Sequence, residues 1–115
     1  MGMREKPRYE SKGQVYIAEV LDTNAVLKNL SASGLCIESG EFMDIVPHSK
    51  YVIDIFPEKE ANIKPFTLDI ESKWIRTKKD YSESGFVIII PPGTSGQELL
   101  NEYLKFLSKY SKMAV

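Results

Sequence analysis

Two short stretches of the chain carry the residue types best suited to bind an anion or a nucleobase. Near the start, Arg4 and Arg8 are separated by three residues that include a proline. Further along, six consecutive residues combine the amide of Asn29, the hydroxyls of Ser31 and Ser33, and a glycine. Together these groups favour a site for a polar, anionic ligand.

Each of these groups matches a part of a guanine nucleotide. The planar fork of arginine donates two parallel hydrogen bonds to guanine O6 and N7, and it also pairs with phosphate oxygens. Asn29 offers an acceptor to the guanine amino group. Ser31 and Ser33 offer hydroxyls to phosphate or ribose, and Gly34 permits close approach of the backbone and positive φ. A ligand with two guanines and two phosphates would use all of these groups.

Both stretches also have a structural interpretation without any ligand. Arginines near a chain terminus are commonly solvated charges. Asn, Ser and Gly dominate turns, so the second stretch could simply connect two strands. We favour the binding interpretation because the two motifs occur together, in this order, and with predicted strands around them.

The pair of motifs, R-x-x-x-R at Arg4 and Arg8 followed by [N/D]-x-S-x-x-G from Asn29, resembles the PilZ domain, a small bacterial module that binds cyclic di-GMP. The resemblance extends over nearly the whole chain. It includes a later strand that carries Trp74 and a return strand that opens with residues 84–87 before a C-terminal helix.

The resemblance implies a mainly β fold, a six-stranded antiparallel PilZ-like β-barrel with a C-terminal α-helix. It further implies a flexible N-terminal arm that wraps cyclic di-GMP against the loop. By position, the family pattern assigns ligand contacts to Arg4, Arg8, Asn29, Ser31 and Gly34. Ser33 occupies a variable position of the pattern and is a further candidate. The chain departs from the pattern at Asn29, where many members have aspartate, and in a short arm without a run of adjacent arginines.

The composition excludes several broad classes of function. The 115 residues suffice for one domain, and 15 basic against 16 acidic residues leave a net charge of −1. Without a global positive field, nucleic acids and membrane surfaces are unfavoured partners. The single cysteine, Cys36, excludes an intrachain disulfide and a thiol cluster for a metal, and no apolar run is long enough to span a membrane. We therefore expect a soluble cytoplasmic protein, monomeric or weakly dimeric, without a metal or a cofactor.

The hydrophobic pattern divides the chain into an arm and one domain. Residues 1–13 are polar, contain a proline and a glycine, and are predicted to form the flexible arm, whereas residues 14–115 form the barrel domain. A capping box that begins at Ser95 and apolar residues at helical spacing predict a closing helix over 95–112. Runs of β-branched and aromatic residues indicate six strands, at 14–21, 25–30, 35–38, 51–56, 66–76 and 86–90.

Three local predictions concern which residues reach the core. Trp74 shares the parity of the alternating apolar residues of its strand, so it is expected on the core face. Residues 77–85 are predicted to form a polar turn, followed by a strand at 86–90 that is buried on both faces. A short turn between residues 41 and 48 is expected to bring three apolar side chains onto the core, those of Phe42, Ile45 and Val46.

Three non-enzymatic functions compete. The leading one is a bacterial second-messenger receptor, in which cyclic di-GMP orders the arm and the altered surface engages an unidentified effector protein in motility or biofilm signalling. The alternative is a PilZ-fold protein-interaction adaptor in motility or pilus machinery that does not bind nucleotide. A barrel that binds single-stranded nucleic acid needs a basic groove with stacking aromatics, which the net charge disfavours.

An enzyme is the least favoured class. His48 is the only histidine and lies in a predicted loop, where a solvated histidine is far commoner than a catalytic one. Asp54, Asp69 and Glu71 lie on predicted strands at alternating positions, so they are expected on solvent faces rather than as a carboxylate pair. No catalytic residue is assigned.

Overall fold

The computed structural model of the protein describes residues 6–90 and 93–114, and Arg4 lies outside them. Within the described residues, the chain forms seven strands, one 3-10 turn at Lys59–Ala61 and one helix, α1, at Ser95–Tyr110. The strands are β1 at Tyr9–Glu10, β2 at Gln14–Tyr16, β3 at Ala25–Leu30, β4 at Gly34–Ser39, β5 at Lys50–Phe56, β6 at Phe66–Thr77 and β7 at Ser82–Ile89.

Six of these strands close into a barrel. They follow the order β3-β2-β5-β6-β7-β4, each neighbouring pair is antiparallel, and β4 pairs again with β3. Closure removes the exposed edges that an open sheet carries. The predicted fold, a mainly β six-stranded antiparallel barrel with a C-terminal helix, is confirmed.

Helix α1 lies against the barrel with one apolar face. It packs against β1 and β6. The helix follows Thr94, whose side chain accepts a hydrogen bond from the backbone N–H of Gln97. The N-cap is therefore Thr94, and the predicted capping box at Ser95 was wrong by one residue. Three buried residues, spaced three and four apart as an amphipathic helix requires, form the apolar face: Leu100, Tyr103 and Leu107.

A bulge in β6 places Trp74 outside the barrel. Side chains in the first half of the strand alternate as predicted, and Ser72, fully buried, takes the inward position opposite Phe86. The pairing then shifts by one residue, so Trp74 lies opposite Gly85 and is 40% exposed. The prediction that Trp74 faces the core was wrong because a bulge reverses the parity of every later residue in the strand.

Strand β7 begins four residues earlier than the sequence pattern predicted. The predicted polar turn is reduced to residues 78–81, closed by a hydrogen bond from Lys78 N to Tyr81 O of 2.7 Å. Its last residues join the strand instead, because β4 and β6 pair with β7 on both sides and satisfy its backbone. The prediction of burial on both faces was also wrong, since Val87 is 38% exposed.

Two other segments differ from the sequence prediction. Strand β2 ends at Tyr16 rather than at Leu21, because the chain turns after Ile17, whose carbonyl accepts two backbone hydrogen bonds. Between residues 41 and 48, Ile45 reaches the core as predicted. Met43 joins it there in place of the two other predicted residues, which are exposed: Phe42 and Val46.

The close contact between Trp74 and Gly85 can be tested by the fluorescence of Trp74 itself. A Cβ at residue 85 would overlap the indole of Trp74. We expect Gly85→Ala to displace the ring into water and to lower the free energy of unfolding by about 1 kcal/mol. Trp74 is the only tryptophan, so a red shift of the fluorescence emission reports the displacement directly. Gly40→Ala is the matched control, since a Cβ there meets nothing within 4 Å. Unchanged emission in Gly85→Ala would contradict the contact.

Candidate functional site

The described part of the arm continues the first barrel strand. Strands β1 and β2 both pair with β3, on the side opposite β4. Glu10 and Gln14 are four positions apart, whereas their partners Asn29 and Val26 are only three positions apart. One extra residue is therefore accommodated at Ser11–Gly13, which forms a bulge between β1 and β2.

A second segment holds the arm from its other side. After α1 ends, the backbone N–H of Ala114 donates to the carbonyl of Arg8 at 2.7 Å, and the N–H of Glu10 donates to the carbonyl of Lys112 at 2.9 Å. Strand β1 thus lies between β3 and residues 111–114. These hydrogen bonds describe the path of the arm, and its flexibility stays a prediction.

Arg8 reaches the corner where β3 ends and β4 begins. Its Nη1 donates to Asn29 Oδ1 at 2.7 Å. A Cβ on Gly34 would lie 3.1 Å from Arg8 Nη2 and 2.9 Å from the carbonyl oxygen of Phe86. The guanidinium therefore lies against both the amide of Asn29 and the backbone of Gly34. The close approach of a ligand at Gly34 stays a prediction, and the glycine with positive φ among the described residues is Gly93.

Ser31 shapes the loop between the two strands. The residue is 2% exposed, and its hydroxyl accepts hydrogen bonds from the backbone N–H groups of Ser33 at 3.2 Å and Gly34 at 3.0 Å. A serine hydroxyl that binds the backbone two and three residues later stabilises a tight turn. Ser33 is exposed, and its carbonyl accepts from the N–H of Ile88 at 2.9 Å. Ligand contacts by Ser31 and Ser33 stay predictions.

Strand pairing aligns a row of residues across the outer surface beside Arg8. Asn29 lies opposite Cys36, which lies opposite Gly85, which lies opposite Trp74. The Trp74 indole covers Gly85, and the Arg76 guanidinium lies 5.3 Å from the centroid of the indole ring. An aromatic plane therefore belongs to the surface that carries the candidate site. Sequence reasoning missed it, because the bulge that turns Trp74 outward leaves no simple pattern in the sequence.

Burial determines the state of Cys36 in this row. The residue is 6% exposed, and desolvation raises the pKa of its thiol above the ordinary value. A buried, protonated thiol is a poor nucleophile. Cys36 is therefore poorly suited to act as a nucleophile.

A cluster of charges flanks the same surface. Lys28 Nζ lies 2.5 Å from Glu83 Oε2 and 3.8 Å from Glu38 Oε1, and Arg76 Nη1 lies 3.8 Å from Glu83 Oε1. The hydrogen bond from Lys28 holds the pKa of Glu83 below its ordinary value, although burial of the carboxylate opposes this shift. Glu83 in turn raises the pKa of Lys28. The cluster therefore balances its own charges.

The described residues form neither a metal site nor a membrane-spanning helix. Within residues 6–90 and 93–114, no three His, Cys, Asp or Glu side chains come together so that they could hold a metal ion. In the same part of the chain, no helix combines the length and the apolar character needed to cross a membrane.

Comparison with known proteins identifies the fold. No family model matches the chain, and no curated protein sequence matches it. Among solved structures, the chain is similar to the Bacillus subtilis inhibitor of motility MotI/DgrA, with a TM-score of 0.69 and 14% sequence identity. The match covers 96% of this chain and 53% of that one, so the chain spans about half the length of MotI/DgrA. At this identity the likeness shows the fold alone, a PilZ-like barrel with a C-terminal helix.

The lowered pKa of Glu83 predicts a pH-dependent contribution to stability. Because the folded-state pKa lies below the ordinary 4.5, the contribution is present above that pH and is lost as the pH falls through the folded-state value. We expect Glu83→Gln to lower the free energy of unfolding by about 1 kcal/mol at pH 7. The difference from the parent protein should shrink below pH 4.5.

Urea denaturation of the parent protein and the Glu83→Gln variant at a series of pH values measures this difference. Glu71→Gln is the matched control, because it removes a more exposed ion pair with Lys73. A difference between the parent and Glu83→Gln that stays constant from pH 7 to pH 3 would contradict the assignment.

Proposed function

We propose that this protein is a bacterial receptor for cyclic di-GMP, which it binds between the arm and the β3–β4 loop, and that it acts on a partner protein rather than as an enzyme. The proposal rests on the position of the Arg8 guanidinium against Asn29 and Gly34. Two residues from motifs far apart in the sequence are joined there by a hydrogen bond of 2.7 Å. Arg4, outside the described residues, is the second arginine of the proposed site.

The chemistry of the corner suits a guanine nucleotide. Binding would exchange the Arg8–Asn29 hydrogen bond for contacts with the ligand. Arg8 would donate to guanine O6 and N7 or to a phosphate, and Asn29 Oδ1 would accept from the guanine amino group. The Gly34 backbone would allow the ligand to approach the loop closely. The protein carries a net charge of −1, so recognition depends on these local contacts.

The position of the arm supports a mechanism by which nucleotide binding alters the surface that a partner protein recognises. Strand β1 lies between β3 and residues 111–114, so a ligand that alters the path of Arg8 also acts on the segment that follows α1. We propose that nucleotide binding orders the arm in this path and that an effector protein recognises the resulting surface. This places the protein in cytoplasmic signalling that controls motility or biofilm formation.

One observation favours the alternative, a protein-interaction adaptor that does not bind nucleotide. Arg8 and Asn29 are hydrogen-bonded to one another, and this bond would have to be given up for a ligand. The inhibitor of motility MotI/DgrA, which shares the fold, is consistent with either function. Titration with the nucleotide distinguishes them.

Calorimetric titration with cyclic di-GMP, cyclic di-AMP and GTP tests the proposed receptor. We expect binding of cyclic di-GMP alone at micromolar concentrations, because each bidentate arginine–guanine contact discriminates by roughly 1–3 kcal/mol. Arg8→Ala should abolish the measurable heat. Lys12→Ala is the matched control, since this exposed lysine lies in the same arm but outside the candidate site. No heat with the parent protein, or equal heats from cyclic di-AMP, would favour the adaptor.

Asn29→Asp tests the role of the amide. Aspartate is the stronger acceptor for the guanine edge, and it would also pair with Arg8 as an ion pair. Repulsion from ligand phosphates opposes the gain but is screened over roughly 10 Å. We therefore expect binding of cyclic di-GMP to be preserved or strengthened and the melting temperature of the free protein to rise. Asn24→Asp, at an exposed residue bonded to Gln14, is the control. Strongly weakened binding in Asn29→Asp would show that residue 29 faces phosphate.

A further inference from the structure

A buried tyrosine of α1 is bonded to the bulge that separates the arm from the barrel. The Tyr103 hydroxyl lies 2.6 Å from Ser11 Oγ, and it also donates a hydrogen bond to Glu58. Ser11 Oγ in turn accepts from the backbone N–H of Gly13 at 2.8 Å. Tyr103 is fully buried. One side chain therefore connects the helix, the loop after β5 and the bulge.

The direction of these hydrogen bonds follows from the protonation state of Tyr103. Burial and the neighbouring Glu58 raise the pKa of Tyr103 well above its ordinary value, so the hydroxyl keeps its proton. Because that proton is donated to Glu58, the Tyr103 oxygen accepts the proton of Ser11. The chain runs from Gly13 N–H through Ser11 and Tyr103 to the carboxylate, and donors aligned in this way strengthen one another.

Gly13 leaves the space that this arrangement needs. A Cβ at residue 13 would lie 2.7 Å from the Tyr103 hydroxyl and 3.0 Å from the carbonyl oxygen of Phe56. The hydroxyl is thus seated directly against the backbone of the bulge. Any other residue at position 13 would push the bulge and the tyrosine apart.

The bulge sets which residue of β3 lies opposite Glu10, and it occurs where the pairing of β3 with β4 also shifts, between Leu27 and Asn29. With the extra residue, Glu10 lies opposite Asn29 on the outer face, and Arg8, two residues earlier, shares that face. If β1 continued in the register of β2, Glu10 would lie opposite Leu30, which is fully buried. Arg8 would then be displaced by one residue along β3, away from Asn29. A slip of one residue would therefore remove Arg8 from the candidate site.

We propose that Tyr103 is a positioning residue for the nucleotide site: by holding the Ser11–Gly13 bulge, it maintains the β1–β3 register that places Arg8 beside Asn29. Residues 111–114 also bind β1, but their hydrogen bonds do not connect β1 to β3. Tyr103 touches no part of the proposed ligand site. The inference about register stands on the strand pairing itself, and its consequence for affinity rests on the proposed binding of cyclic di-GMP.

Tyr103→Phe tests the proposal because it removes the hydroxyl and keeps the ring. The ring packs edge-on against Phe66 with centroids 6.3 Å apart, and phenylalanine retains this contact. In the nucleotide-free variant, we expect amide exchange at Ser11, whose N–H donates to Lys28 O, to accelerate about tenfold. Exchange at Ile53 in the barrel should remain unchanged. We expect the Kd for cyclic di-GMP to increase roughly three- to tenfold, the effect of one lost hydrogen bond.

Two further variants separate positioning from general stability. Tyr110→Phe, on the same helix but 75% exposed, is the matched control and should change neither exchange nor affinity. Ser11→Ala removes the same hydrogen bond from the other side. Ser11→Ala also removes the hydrogen bond from Gly13 N–H to Ser11 Oγ, so the effects of Ser11→Ala and Tyr103→Phe should be less than additive in the double variant.

The outcomes distinguish this inference from the proposed function. Unchanged exchange at Ser11 in Tyr103→Phe would overturn the inference about register, whether or not the parent protein binds cyclic di-GMP. Faster exchange with an unchanged Kd would overturn the role of Tyr103 in positioning Arg8. If the parent protein binds no cyclic di-GMP, the proposed function fails, and the exchange comparison alone decides whether Tyr103 holds the register.

Discussion

The pairing of β3 on both sides is the constraint on which the rest of the structure depends. On one side β3 meets β4 and closes the barrel, and on the other it meets β2 and β1 in turn. A strand held in this way cannot slide without breaking the barrel, because a shift of one residue would turn its apolar side chains outward. The end of β3 therefore presents Asn29 to the arm at a fixed position, and the loop that follows begins from that point.

Irregularities in the pairing, rather than the regular strands, build the candidate site. The bulge at Ser11–Gly13 sets the register of β1 with β3, and the bulge after Ser72 turns Trp74 toward the same surface. Hydrogen bonds from buried polar side chains stabilise the irregular segments. Ser31 binds the backbone of the β3–β4 loop, and Tyr103 binds Ser11 in the bulge of the arm. Functional surfaces of barrels are commonly placed next to bulges, because a bulge re-aims side chains without opening the core.

Charge is arranged so that the protein is nearly neutral while one corner remains suited to an anion. Lys28 and Arg76 lie beside Glu38 and Glu83, so the two positive and two negative charges of this cluster balance. Arg8 donates a hydrogen bond to the amide oxygen of Asn29, which orients the guanidinium at the corner. The guanidinium fork is suited to a phosphate or to the edge of a guanine.

The sequence by itself determined the barrel, the closing helix and the two motifs of the candidate site. Apolar residues such as Phe66, Leu68 and Ile70 occur at every second position, because one face of the strand packs on the core and the other faces water. The apolar residues of α1 recur at helical spacing for the same reason. Tertiary structure alone decided the outward position of Trp74, the strand character of residues 82–85 and the contact of Arg8 with Asn29. Each of these features depends on the register between strands that are distant in sequence. A shift of one residue in that register changes the face on which a side chain lies, but it leaves the local sequence pattern of polar and apolar residues unchanged.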